Sequence, residues 1–191
     1  QLIESSLKLL NSLNIDITVL EKEPCCGAVE YRQGHDNEIN SVLLQENKTY
    51  LSLNSSCTAH LKEHGQTKTL ELMDFLFEQP LFERLGKQLL RHQNKDNNQN
   101  IFIHKSCTQK NRLKISNLKS KLEQLMPHSQ FLELPGVSCC GASGTFFMEQ
   151  SDLAGKIASP FVNFLIDNQI DVILSSEISC GIHLKQQFEE T

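Results

Sequence analysis

Cys25-Cys26-Gly27-Ala28 returns as Cys139-Cys140-Gly141-Ala142, and Ser56-Cys57-Thr58-Ala59-His60-Leu61-Lys62 is answered by Ser179-Cys180-Gly181-Ile182-His183-Leu184-Lys185. In each case the second piece follows the first after some thirty to forty residues. Six of the seven cysteines lie in these pieces, and the seventh, Cys107, precedes Cys139 by 32 positions. The same interval counted back from Cys25 falls before residue 1. The simplest reading is two copies of one unit, the first cut short at its start. A repeat of this kind has to be recognised before any local element is assigned. The expected layout is a first unit over 1–65, a helical bridge and exposed linker over 66–100, and a second unit over 101–191.

The chain has 191 residues, 39% of them hydrophobic, and a formal charge of −5. That is enough apolar material for a core without disulfides. The acidic balance argues against nucleic acid as a partner. No apolar run approaches the ~18–20 residues needed to cross a bilayer, so the chain is not expected to be transmembrane. The first fifteen residues are amphipathic and lack the basic region and cleavage site of a signal peptide. The chain begins without Met, as an excised fragment would. Seven cysteines without a secretion signal point to a reducing, cytoplasmic setting, where clustered Cys usually bind metal or do redox chemistry. The odd count and the vicinal pairs agree, because neighbouring Cys side chains point apart.

Leu2, Ile3, Leu7, Leu10 and Leu13 recur at helical spacing. Residues 16–20 then read as a strand, 35–46 as a helix, and 49–53 as a strand. Asn54, Ser55 and Ser56 are good helix-capping residues before a helix over 57–64 that ends at Gly65. Residues 70–91 suggest two helices broken by Pro80, and 92–100 is an exposed polar loop. In the second copy, residues 101–104, 131–134 and 172–174 read as strands. Apolar stripes over 113–125 and 153–165 read as helices, and Ser175-Ser176 precedes a helix with Cys180. Strands alternating with long helices predict an α/β fold of two pseudo-symmetric repeats, each a small parallel sheet with packed helices.

In such units each cysteine follows a strand, at the carboxyl edge where ligands collect. Cys107, Cys139, Cys140 and Cys180 are therefore expected to converge, and four thiolates suit a tetrahedral metal or an iron–sulfur cluster. Cys25, Cys26 and Cys57 are the first-copy set. Helix starts and glycine turns offer N–H groups that stabilise thiolates and cluster sulfur. The alternative is buried core thiols, which suits a single Cys better than repeated vicinal pairs. His60 and His183 follow Cys57 and Cys180 by three residues and share their helix face. Each could ligate metal, or be an ordinary helix-surface histidine. His104, near Cys107, has the same two readings. The basic residues between Lys105 and Lys121 form a solvated helix face or a docking patch for an acidic partner. No dinucleotide fingerprint occurs.

With these motifs the chain resembles the cysteine-rich CCG domain family, whose pattern is Cys, Cys-Cys-Gly and Cys-x-x-Cys at intervals of thirty-odd residues, usually in two copies. The family includes a cysteine-rich component of heterodisulfide reductase, lactate-utilisation proteins and the glycolate oxidase iron–sulfur subunit. Gly34-His35 and Cys139 through Phe146 look most like the carboxy-terminal half of that last subunit. The final Cys of each Cys-x-x-Cys is His here, at His60 and His183. The resemblance implies an electron-transfer subunit of a flavin-dependent glycolate or lactate oxidoreductase, carrying a [4Fe-4S] cluster. It also implies FAD on a partner oxidase subunit, a preceding ferredoxin-like half, and a place in the cytoplasm or peripheral at the inner membrane. The rivals are a zinc-binding or metal-free assembly module and a heterodisulfide-reductase-like thiol protein.

Overall fold

The computed structural model describes residues 2–20, 25–35, 47–64, 68–92, 98–136 and 139–191. The helix expected over 35–46 and Gly65 fall outside these residues, apart from His35. The first half carries α1 (Leu2–Ser12), α2 (Ala28–Arg32), β1 (Thr49–Ser52) and α3 (Ser55–His64). Next come β2 (Lys68–Glu71), α4 (Leu72–Leu76) and α5 (Leu81–His92). The second half runs β3 (Asn100–His104), a π-helical turn over Gln109–Leu113, α6 (Leu118–Leu125) and β4 (Gln130–Leu132). It ends with α7 (Phe146–Glu149), α8 (Ser151–Asp167), β5 (Val172–Ser175) and α9 (Ile178–Glu189).

Among the described residues these make two small parallel sheets, β1-β2 and β4-β3-β5. The α/β reading of two small parallel sheets with packed helices holds. β3 is central. Ile101 pairs with Phe131 on one side and with Val172 on the other. Its apolar run, Ile101-Phe102-Ile103, is buried throughout, as expected of a parallel strand covered on both faces. Successive side chains point to opposite faces. Ile101 and Ile103 join Leu10 and Leu13, Leu76 to Leu85 of the α4–α5 region, and Leu118, Leu122 and Leu125 of α6. Phe102 instead joins Phe161 and Leu165 of α8 and Leu184 of α9. The helices of the first half and the bridge thus share a core with the second sheet.

Two segments differ from the sequence reading. Residues 16–20 form no strand: Ile15 and Ile17 pack against the core, while Val19 and Leu20 are exposed. Alternation gave them the right pattern, but a strand exists only where a neighbouring backbone accepts its hydrogen bonds. Conversely, Lys68-Thr69-Leu70-Glu71, read as bridge, is a strand paired residue for residue with Thr49 to Ser52. A four-residue stretch with two charged ends carries little apolar signal, and its partner strand organises it.

Leu184 is fully buried between the sheet and the loops above it. Leu184→Ala is expected to lower unfolding free energy by about 2–5 kcal/mol. The exposed Leu90→Ala should change it by less than about 0.5 kcal/mol. Urea denaturation of both variants checks the assignment of the core.

Candidate metal centre

All three strands of the second sheet run the same way, so their carboxyl ends share one edge. β3 leads to Cys107, β4 to the Cys139–Cys140 loop, and β5 to the start of α9 with Cys180. The four cysteines line one cavity of about 250 Å³ together with His104. Cys140 and Cys180 are buried, Cys107 is half-buried and Cys139 is exposed. The donor atoms of His104, Cys140 and Cys180 lie within 4.8 Å of one another. His104 reaches this group because it stands two residues after Phe102 on the same face of β3. Its ring lies 5.4 Å from Phe161, and its Nδ1 is 3.3 Å from Ser175 Oγ.

The loop is shaped by Gly141, at φ 89°. A Cβ there would stand 3.0 Å from the Ala154 carbonyl oxygen of α8. Glycine is therefore required both for the left-handed turn and for the close approach. The Gly141 N–H donates to Cys139 Sγ at 3.4 Å. The Cys180 thiol donates to the Cys140 sulfur, and this is the main reason the Cys140 pKa falls to about 4, against the opposing effect of burial. His104 lowers it further. The partner thiol, Cys180, is pushed up, because it holds the shared proton and is buried. Burial first, then the charges of Cys139 and Cys140, raises Cys107. Within the Cys140–Cys180 pair, Cys140 thus favours the thiolate and Cys180 keeps the proton.

The first copy repeats this arrangement in part. Cys26 Sγ stands 3.1 Å from Cys57 Sγ, as Cys140 pairs with Cys180. Gly27, at φ 72°, turns the loop, and its N–H donates to Cys25 Sγ at 3.5 Å. The bond from Cys57 lowers Cys26 to about 6 and raises Cys57. His60 and His183 do not line the cavity. His183 Nε2 lies 3.3 Å from the Ala154 carbonyl and its ring meets Phe147. His60 clusters with the rings of Tyr31 and His64. Three helical residues carry a side chain about 4.5 Å along the axis, away from the end where Cys57 and Cys180 sit.

First-half residues also reach this cavity, which the repeat pattern gave no reason to expect. Arg32 and Ser56 line it. Arg32 Nη2 donates to Ser56 Oγ at 3.1 Å. The Ser56 hydroxyl and N–H donate to Glu177 Oε2 at 2.7 and 2.9 Å. Asn54 Oδ1 accepts from the same N–H and from that of Cys57, so it caps α3 as its type suggested. Arg112, also at the cavity, is held by both oxygens of Glu63. These roles have no separate signal in the chain beyond the helix-capping preference at Asn54.

In the metal-free protein, ultraviolet thiolate absorption should persist as pH falls from neutrality and be lost from Cys140 only near about pH 4. Cys180→Ala removes the donor. It should move that step up towards the ordinary thiol value of about 8.5. A spectroscopic titration of the two proteins measures the difference.

A family model described as a cysteine-rich domain, CCG, matches residues 1–62 and 101–185. Lactate utilization protein A of Lysinibacillus sphaericus is 24% identical over 95% of this chain and 86% of its own length. The protein of the same name in Macrococcus caseolyticus is 23% identical over 94% of this chain and 80% of its own. The glycolate oxidase iron-sulfur subunit of Escherichia coli is 24% identical over 94% of this chain, which spans 49% of that subunit.

Proposed function

This chain belongs to the cysteine-rich domain family, and on that premise we propose that it is an iron–sulfur electron-transfer component of a system oxidising a small 2-hydroxy acid of the lactate or glycolate class. The observation that carries this reading is the gathering of Cys107, Cys139, Cys140 and Cys180 around one cavity from the segments that follow three separate strands. Relatives named for lactate utilisation and for an iron-sulfur subunit of glycolate oxidase support it.

The donor set suits an iron–sulfur group. Four cysteines are a full complement of thiolate ligands, Cys140 among them favours the thiolate, and the cavity they line has room between them. Cys107, Cys139, Cys140 and Cys180 would hold the cluster. When bound, it supplies one-electron transfer, with its potential tuned by sulfur hydrogen bonds and burial. The chain's own residues prepare that site. Gly141 presses the loop onto α8, and its N–H points at Cys139 Sγ. Phe102, Phe161 and Leu184 close the site from below with apolar surface. Cys25, Cys26 and Cys57 form the corresponding first-copy set. The organic substrate and its flavin, FAD, are assigned to a partner oxidase subunit, in the cytoplasm or peripheral at the inner membrane. Among the described residues no helix is long and apolar enough to cross a membrane.

A second reading has its own observation. The donor atoms of His104, Cys140 and Cys180 lie within 4.8 Å of one another, and mixed Cys and His ligands are typical of structural zinc. The module would then organise the assembly rather than carry electrons.

Anaerobic purification followed by iron, labile-sulfide and zinc analysis separates the two. Iron with matching sulfide and a broad visible band supports electron transfer, whereas a colourless protein with stoichiometric zinc overturns it. Cys140→Ser is expected to lose its iron and sulfide while its far-ultraviolet circular dichroism stays unchanged, because the apolar core lies beneath the loop.

A further inference from the structure

α2, which follows the first Cys-Cys-Gly motif, is aimed at the cavity of the other copy. Arg32 at its carboxyl end lines that cavity, and Gln33 just beyond it donates to Thr145 Oγ1 of the second half at 3.3 Å. The position is asymmetric: six residues after Cys26 stands Arg32, whereas six residues after Cys140 stands Phe146.

Two other charged side chains at the cavity, Arg112 and Glu177, have hydrogen-bond partners of their own. Arg112 is held by Glu63 on both carboxylate oxygens. Glu177 accepts from the Ser56 N–H and hydroxyl. Arg32 makes one described hydrogen bond, through Nη2 to Ser56 Oγ, out of the five N–H donors a guanidinium carries. Ser56 is itself pinned by Glu177, so the chain Arg32–Ser56–Glu177 fixes where the charge sits.

We propose that Arg32 is the counter-charge of the second-repeat cysteine centre, supplied across the repeat boundary and positioned by Ser56. The inference rests on the iron–sulfur reading above and adds to it a residue that no cysteine motif contains. Four thiolates around a metal group carry net negative charge, and reduction adds one more. A fixed cation beside them favours the reduced state, because its attraction grows with each added electron. Arg32 is an exposed residue, so solvent screens its charge and the effect is modest. Removing the charge is expected to shift the reduction equilibrium about tenfold towards the oxidised state, which for one electron is about 59 mV.

The test compares the wild-type chain with Arg32→Gln, Arg32→Lys and Ser56→Ala after anaerobic loading with iron and sulfide. Each sample is titrated with redox mediators and followed by visible absorption and electron paramagnetic resonance. Arg32→Gln should keep its iron and titrate at a lower potential. Arg32→Lys should recover most of the shift, and Ser56→Ala should fall between, because it frees the guanidinium without removing it. Loss of iron in Arg32→Gln that Arg32→Lys restores supports the same counter-charge. A loaded Arg32→Gln protein with the wild-type potential, or a Lys variant no better than Gln, overturns this inference alone. A wild-type protein that takes up no iron and sulfide overturns the functional reading and this inference with it.

Discussion

The parallel pairing of β3 between β4 and β5 is the constraint on which the rest depends. A parallel ladder gives three strands a common polarity, so the loops leaving them emerge at one edge. Cys107, the Cys139–Cys140 pair and Cys180 are spread over some seventy residues and have no local reason to meet. The ladder supplies one. It also divides the apolar residues of β3 between two faces. Ile101 and Ile103 anchor the helices of the first half and the bridge, and Phe102 anchors α8 and α9. The cysteine loops therefore stand on a packed apolar floor.

A polar seam holds the two copies in one placement. Ser55 Oγ lies 2.7 Å from Ser176 Oγ and donates to Glu71 Oε1, which also accepts from Gln109 Nε2. Ser56 gives two hydrogen bonds to Glu177. These groups are almost all buried. A buried donor or acceptor left without its partner costs about 1–3 kcal/mol, so a slipped arrangement of the halves would forfeit several such contacts together. The seam runs between the start of α3 and the turn before α9, the two helices that carry Cys57 and Cys180. The same contacts that join the repeats thus set the distance between their cysteine sites and bring Arg32 to the second one.

Much of the site was legible before folding because chemistry and spacing repeat. Cys-Cys-Gly-Ala and Ser-Cys-x-x-His-Leu-Lys each occur twice, and strand-like runs precede the cysteines of the second copy. From those facts follow the parallel α/β class, the shared edge and the four cysteines around one cavity. The left-handed turns at Gly27 and Gly141 follow as well, since only glycine adopts them at low cost.

What the pattern left open is whatever depends on a partner far away in the chain. Residues 16–20 alternate like a strand but have no ladder, whereas Lys68–Glu71 looks unpromising and pairs with β1. His60 and His183 have the sequence spacing of ligands, yet their helix turn carries them to Tyr31, His64, Phe147 and the Ala154 carbonyl. His104 has no repeated motif, but its parity with Phe102 on β3 places it beside Cys140 and Cys180. Periodicity along a chain reports which face a side chain takes. Which neighbour waits on that face is settled only when strands pair and helices pack, because that choice belongs to contacts between residues that the sequence holds far apart.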